Sequence, residues 1–146
     1  MSGARKDGIS PELEQKIVAR WPDWFDVRGD LRKTLMPRGF EHRDGWFDLL
    51  YRLCERLEPL VGELNTTLPP GEHFEVLQVK QKLGELRFYV SHQNAAIDAE
   101  IELAYLESLR TCENCGRRGL LRNINGWLIT LCERCVQAGV GRKARR

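Results

Sequence analysis

Histidine is scarce in this chain: His42, His73 and His92 are the only three, and none lies beyond residue 92. That absence denies the last third of the sequence a histidine general base or a histidine metal ligand, and so excludes a self-contained zinc nuclease of the HNH type there. Also missing are a glycine-rich phosphate loop, a nucleophile elbow and a His-x-x-x-His helix, which leaves enzyme chemistry without a motif. Glu41, His42 and Asp44, close to Arg38 and Arg43, form the best acid-base group, and a single local cluster of this kind reads as solvated surface. Long apolar runs are absent too. Residues 1–20 lack the apolar core of a signal peptide, and no stretch approaches the length of a bilayer span. The expectation is a cytoplasmic protein with reduced thiols, no membrane partner and no enzymatic activity.

Cysteine is what the chain does have. Cys112, Cys115, Cys132 and Cys135 are spaced C-x2-C, sixteen residues, C-x2-C. Two residues between thiolates let each pair curl around one tetrahedral ion, and the intervening segment is long enough to fold back as a hairpin. A single redox C-x-x-C at the end of a strand in a βαβ unit does not describe two pairs flanking a hairpin. Zinc is the expected metal, and four thiolates leave no open position, so its role is read as structural. Gly116 follows the first pair, Asn125-Gly126 marks a tight turn between apolar runs, and Glu133 to Ala138 is helix-compatible with Gly139 placed to end it. Knuckle, hairpin and helix in that order predict a treble clef, with a zinc ribbon as the alternative. Cys54 falls on the apolar arc of a helix and reads as a buried thiol.

Charge is divided along the chain. Residues 1–109 carry 14 Lys+Arg against 19 Asp+Glu, whereas residues 110–146 carry 9 against 2, a net of +7. Four thiolates and one dication leave the segment at about +5. Arg117, Arg118 and Arg122 sit on the knuckle and first strand, and Arg142 and Lys143 open a basic tail. Such asymmetry points to a polyanion, so these five are the candidate nucleic-acid contacts. The other reading pairs the arginines with an acidic surface, on this chain or on a protein partner.

The 42% hydrophobic and 30% charged composition suits an ordinary globular protein with one small appended module. Ser10 and Pro11 open a short helix over 11–20, ended by Trp21-Pro22-Asp23-Trp24-Phe25, whose aromatics are expected to pack on the main helix. From Gly45, Trp46, Phe47, Leu49, Leu50, Leu53, Cys54, Leu57, Leu60 and Val61 share one arc, with Asp44 as the cap and Arg52 opposite. Two strands around Gly84 make a hairpin with Lys80, Lys82 and Arg87 on its exposed face near Tyr89. Asn94 caps a second long helix to Arg110, expected to be sandwiched between hairpin and zinc module because it is apolar on both sides. The fold class is α+β: two main helices on an antiparallel hairpin, closed by the four-cysteine module. The divisions are a disordered 1–10, an α+β body over 11–110, the zinc module over 111–140 and a basic tail over 141–146.

The tract Val79-Lys80-Gln81-Lys82-Leu83-Gly84-Glu85-Leu86-Arg87-Phe88-Tyr89 and the ending Cys112-x-x-Cys115-Gly116, Gly119-Leu120-Leu121-Arg122, Gly126-Trp127-Leu128, Thr130-Leu131-Cys132-x-x-Cys135 resemble small uncharacterised bacterial and phage-borne proteins. The resemblance covers approximately residues 40–136 and implies a bacterial or prophage setting without catalytic residues. Two functions follow as expectations: a nucleic-acid-associated or regulatory factor acting through the basic zinc module, or an intracellular protein-binding factor, such as an immunity or anti-defence protein, that masks its partner.

Overall fold

Helix α1 (Pro11–Arg20) begins where proline's fixed φ suits a first helical turn, and it buries Ile17. This is a computed structural model, and it describes residues 8–141. Of the disordered end expected over 1–10, residues 1–7 lie outside the described residues, while Ile9 is fully buried and donates its N–H to the Phe40 carbonyl. Ser10 stands at the N-cap position, but its side chain makes no cap bond. Its own N–H is taken by Asp44 Oδ1 at 2.7 Å. Asp44 is therefore not the cap of the main helix. The chain enters that helix through a 3-10 turn, Asp44–Trp46, and α2 runs Phe47–Asn65 with Pro59 inside it.

The expected arc of α2 is the core face: Leu49, Leu50, Leu53, Cys54, Leu57 and Val61 are buried, while Arg52 and Glu55 face out. The aromatics after α1 pack against α2 and into the core of the body, as expected. Trp21 stacks on Trp24 at 5.6 Å and meets Tyr51 edge-on at 5.2 Å, and Trp24 meets Phe74 edge-on at 5.4 Å. Arg20 lies over Trp21 and Tyr51 and pairs with Glu55 at 3.0 Å, tying the end of α1 to α2.

Strands β1 (Val76–Lys82) and β2 (Glu85–Val90) pair antiparallel, Lys82 opposite Glu85, across a two-residue turn with positive φ at Leu83 (+56°) and Gly84 (+82°). Two positive φ values in a two-residue loop match the right-handed twist of the strands. Lys80 faces Arg87 across the ladder, but Arg87 is held by Glu85 at 2.8 Å and leans toward the Tyr105 ring. Glu41 adds a one-residue parallel bridge to Lys80 on the far edge of β1.

Helix α3 (Ala95–Ser108) starts as expected, with Asn94 Oδ1 accepting the Ile97 N–H at 2.9 Å. It packs against α2 and β2 through Ile97, Ala104 and Ser108, and Arg52–Glu107 (2.6 Å) and Arg56–Glu100 (2.7 Å) clip it to α2. The expected sandwich is not formed. Leu103 (55% exposed) and Leu106 (40%) face solvent, because the module leaves the end of α3 and docks elsewhere. Two cores result: a large one in the body, and a small one of Cys112, Ile129, Leu131, Cys132 and Cys135. Among the described residues no helix is long and apolar enough to cross a membrane.

Candidate metal centre

The site is built by a short run of backbone turns after α3. Thr111 Oγ1 donates to the Glu107 carbonyl at 2.8 Å and closes the last helical turn. The chain then reverses around Cys112–Arg117: Gly116 N–H donates to Cys112 O at 2.9 Å, Cys112 N–H to Arg117 O at 2.6 Å, and Cys115 N–H lies 3.5 Å from Cys112 Sγ. Gly116 has φ +85°, a left-handed conformation that glycine adopts without a β-carbon clash. Strands β3 (Leu120–Ile124) and β4 (Trp127–Leu131) follow, joined by Asn125 and Gly126 at φ +55° and +88°. The ladder delivers Leu131 directly into Cys132, and α4 (Glu133–Gln137) carries Cys135 back over the first pair. Gly139 N–H to Val136 O and Val140 N–H to Cys135 O, both 3.0 Å, end α4 in a Schellman arrangement.

The four sulfurs come together, all within 4.8 Å of one another, with Cys115 and Cys132 3.6 Å apart. A disulfide needs about 2.05 Å, so these are separate thiols. Four thiolates around one zinc at about 2.3 Å each would lie about 3.8 Å apart, and the observed spread brackets that value. The donor set therefore fits a tetrahedral metal ion. Its electrostatics agree: the backbone N–H of Cys135 draws the Cys132 thiol down to about 7, while burial pushes Cys135 up to about 12 and Cys115 upward as well. Crowded sulfurs cannot all ionise beside one another, and a dication in their midst removes that obstacle. Asn114 Nδ2, 3.4 Å from Cys135 Sγ, adds a donor to the sulfur cage.

The residue inside the first pair does something the sequence did not reveal. Glu113 is 2% exposed and joins the module to the body. Its carbonyl accepts Gly45 N–H at 2.7 Å, its Oε2 accepts Arg43 N–H at 3.0 Å, and its own N–H donates to Thr130 O at 2.9 Å. Trp46 Nε1 donates to Thr111 O at 2.9 Å, and Thr130 Oγ1 to Gly84 O at 2.8 Å. Gly45 is present because the knuckle backbone lies against it. A β-carbon there would stand 2.6 Å from the Glu113 carbonyl, and closer still to Cys112 O.

The acid-base group expected as solvated surface is dispersed. His42 is fully buried between Phe40 and Trp46, with Nδ1 2.9 Å from Arg43 O, whereas Glu41 accepts from Gln78 and Asp44 from Ser10. The three do not converge on one point. Phe40 and Trp46 on either side of His42 were the available sign that the segment is interior. Cys54 is buried as expected, and desolvation drives its thiol far above the ordinary range.

Of the candidate nucleic-acid contacts, Arg117 and Arg118 are exposed on the turn between the first cysteine pair and β3. Arg122 is half-buried and folds back: Nε donates to Leu131 O at 3.1 Å and Nη1 pairs with Glu133 at 3.2 Å. Arg142 and Lys143 lie outside the described residues. Compared with protein-family models, curated proteins and solved structures, the chain finds no match.

Proposed function

We propose that this is a non-enzymatic zinc protein whose four-cysteine treble clef presents a basic surface to nucleic acid, in a nucleic-acid-associated or regulatory role. The four-sulfur cluster supports zinc, since an all-thiolate tetrahedral set suits that ion and leaves it no open position for substrate. The order of knuckle, β3–β4 hairpin and α4 bearing the second pair supports the treble clef. Bound metal would fold a segment too small to hold itself together, with apparent binding on the order of 10 kcal/mol. The observation that carries the nucleic-acid reading is Arg117 and Arg118: both are exposed and, among the described residues, neither is in an ion pair, within the segment 110–146 whose net charge is +7. Arg122 has its charge partner already and belongs to the scaffold.

Fluorescence anisotropy with labelled duplex and single-stranded DNA and with RNA, at low salt, tests this. Arg117→Ala/Arg118→Ala should weaken binding by a similar factor on every sequence and flatten the slope of log affinity against log salt by about 0.9 per lost contact on duplex. Arg122→Ala should act through stability. Absence of any wild-type binding at low salt would refute the reading.

A second reading, a protein-masking factor of a bacterial or phage cytoplasm, is favoured by Leu120 (61% exposed) and Leu121 (48%) next to those arginines. Affinity capture from a bacterial lysate with and without nuclease separates the two, since a protein partner survives nuclease and is indifferent to the arginine pair.

A further inference from the structure

Helix α3 carries apolar residues on two sides, and one of those sides has no cover. Its inner face, Ile97, Ala104 and Ser108, is buried; its outer face carries Leu103 and Leu106, 55% and 40% exposed. Leu103 and Leu106, one turn apart, form an apolar strip open to a layer outside the protomer. The charges beside it say what kind of layer. Glu102, Leu106 and Arg110 are four residues apart, so they form one ridge on the helix surface. Arg110 lies just past the end of α3, and its N–H still donates to Glu107 O at 3.0 Å, continuing the turn. Glu102 and Arg110 thus stand one turn to either side of Leu106, about 6 Å each way along the axis. Among the described residues neither is in an ion pair, unlike Glu100 and Glu107, which α2 arginines occupy.

A ridge that reads acid, apolar, base is complementary to itself run backwards. We propose that a second copy of this chain covers it, forming a two-fold dimer with the axis at Leu106: Leu106 meets Leu106, and each Glu102 meets the partner's Arg110. A two-fold contact must be made of one self-complementary patch, and this is such a patch. Gly119 N–H donates to Arg110 O at 2.8 Å, so exposed Leu120 stands beside the end of the ridge, where a partner's Leu103 arrives. One helix face with that addition is a contact at the small end of specific interfaces, and the dimer should form in the micromolar range. Arg117 and Arg118 take no part in it, so dimerisation does not depend on the nucleic-acid reading; it would place two basic modules on one particle.

Sedimentation equilibrium of the full zinc-loaded chain, from about 1 to 500 µM, tests the proposal. Wild type should show a monomer–dimer equilibrium, and Leu106→Arg should weaken it at least about tenfold. Glu102→Arg and Arg110→Glu should each weaken it alone, and an equimolar mixture of the two, or the doubly swapped chain, should restore it. All three positions changed are exposed, and unchanged zinc content and far-ultraviolet circular dichroism verify the fold. A wild type that stays monomeric throughout overturns the proposal. So does a dimer indifferent to Leu106→Arg, or charge variants that the swap does not restore.

Discussion

Gly45→Ala is the change that most directly probes how the module is mounted. The backbone at Gly45 is ordinary, so any cost comes from space. An added β-carbon would meet the carbonyl carbon and oxygen of Glu113 at 2.6 Å, where ordinary contact is about 3.5 Å, so the seam must open by about 1 Å. All the neighbouring atoms are backbone and cannot swing aside. Opening strains Gly45 N–H to Glu113 O (2.7 Å) and Arg43 N–H to Glu113 Oε2 (3.0 Å), the second of them charge-assisted. Overpacking and those two bonds together come to about 3–5 kcal/mol. At a urea dependence of about 2 kcal/mol/M, the unfolding midpoint should fall by about 2 M with little change in slope. Gly62→Ala is the control: nothing lies within 4 Å of its β-carbon on the exposed side of α2, and it should stabilise by about 0.5–1 kcal/mol. Fluorescence-monitored urea titration of the zinc-loaded variants reads both. A Gly45→Ala midpoint within about 0.3 M of wild type would refute the close contact between loop and knuckle.

Purified protein should contain one zinc per chain by elemental analysis; Cys112→Ser/Cys132→Ser should lose it and unfold the module, while Cys54→Ala should retain it. Leu53→Ala or Leu57→Ala should cost about 2–5 kcal/mol in urea, because both are fully buried. Arg52→Ala should cost about 1 kcal/mol or less despite its 2.6 Å pair with Glu107, since its side chain is 51% exposed.

The parts of this fold legible in the sequence are those specified within a few residues. Asn94 caps because its side chain reaches an N–H three residues on, Asn125-Gly126 turns because both tolerate positive φ, and the cysteine spacing states its own geometry. The apolar arc of α2 was visible for the same reason, as a periodicity of 3.6. What could not be read was set by distant partners. Asp44 looked like a cap until Ser10, 34 residues earlier, supplied a donor. Glu113, charged and between two cysteines, gave no sign that Arg43 and Gly45 were waiting for it. Arg122 counted as a basic surface residue, and only the β3–β4 register shows it spent on Leu131 and Glu133. Leu83 at φ +56° is the converse case: a residue poorly suited to its conformation, held there by the glycine after it and the ladder on both sides.

The knuckle is shared between two structures, so a metal held by its sulfurs would be coupled to the whole protein. Its sulfurs face the metal position, while the carbonyls and side chain of the same residues face the body: Thr111 O takes the Trp46 indole N–H, and Glu113 takes the N–H groups of Arg43 and Gly45. If the four cysteines hold zinc, its removal should free the knuckle, and the fully buried Trp46 would then lose its partner together with Arg43 and Gly45. Trp21 provides an internal reference, because its Nε1 donates to Glu58 at 3.3 Å, within the body and away from the cysteines. In heteronuclear NMR spectra, chelating the zinc should shift the Trp46 indole N–H resonance and sharply accelerate its exchange with solvent, while the Trp21 resonance keeps its position. If both resonances are unmoved by chelation, the module docks on Gly45 and Glu113 without its metal. The body would then be organising the cysteines, and not the reverse.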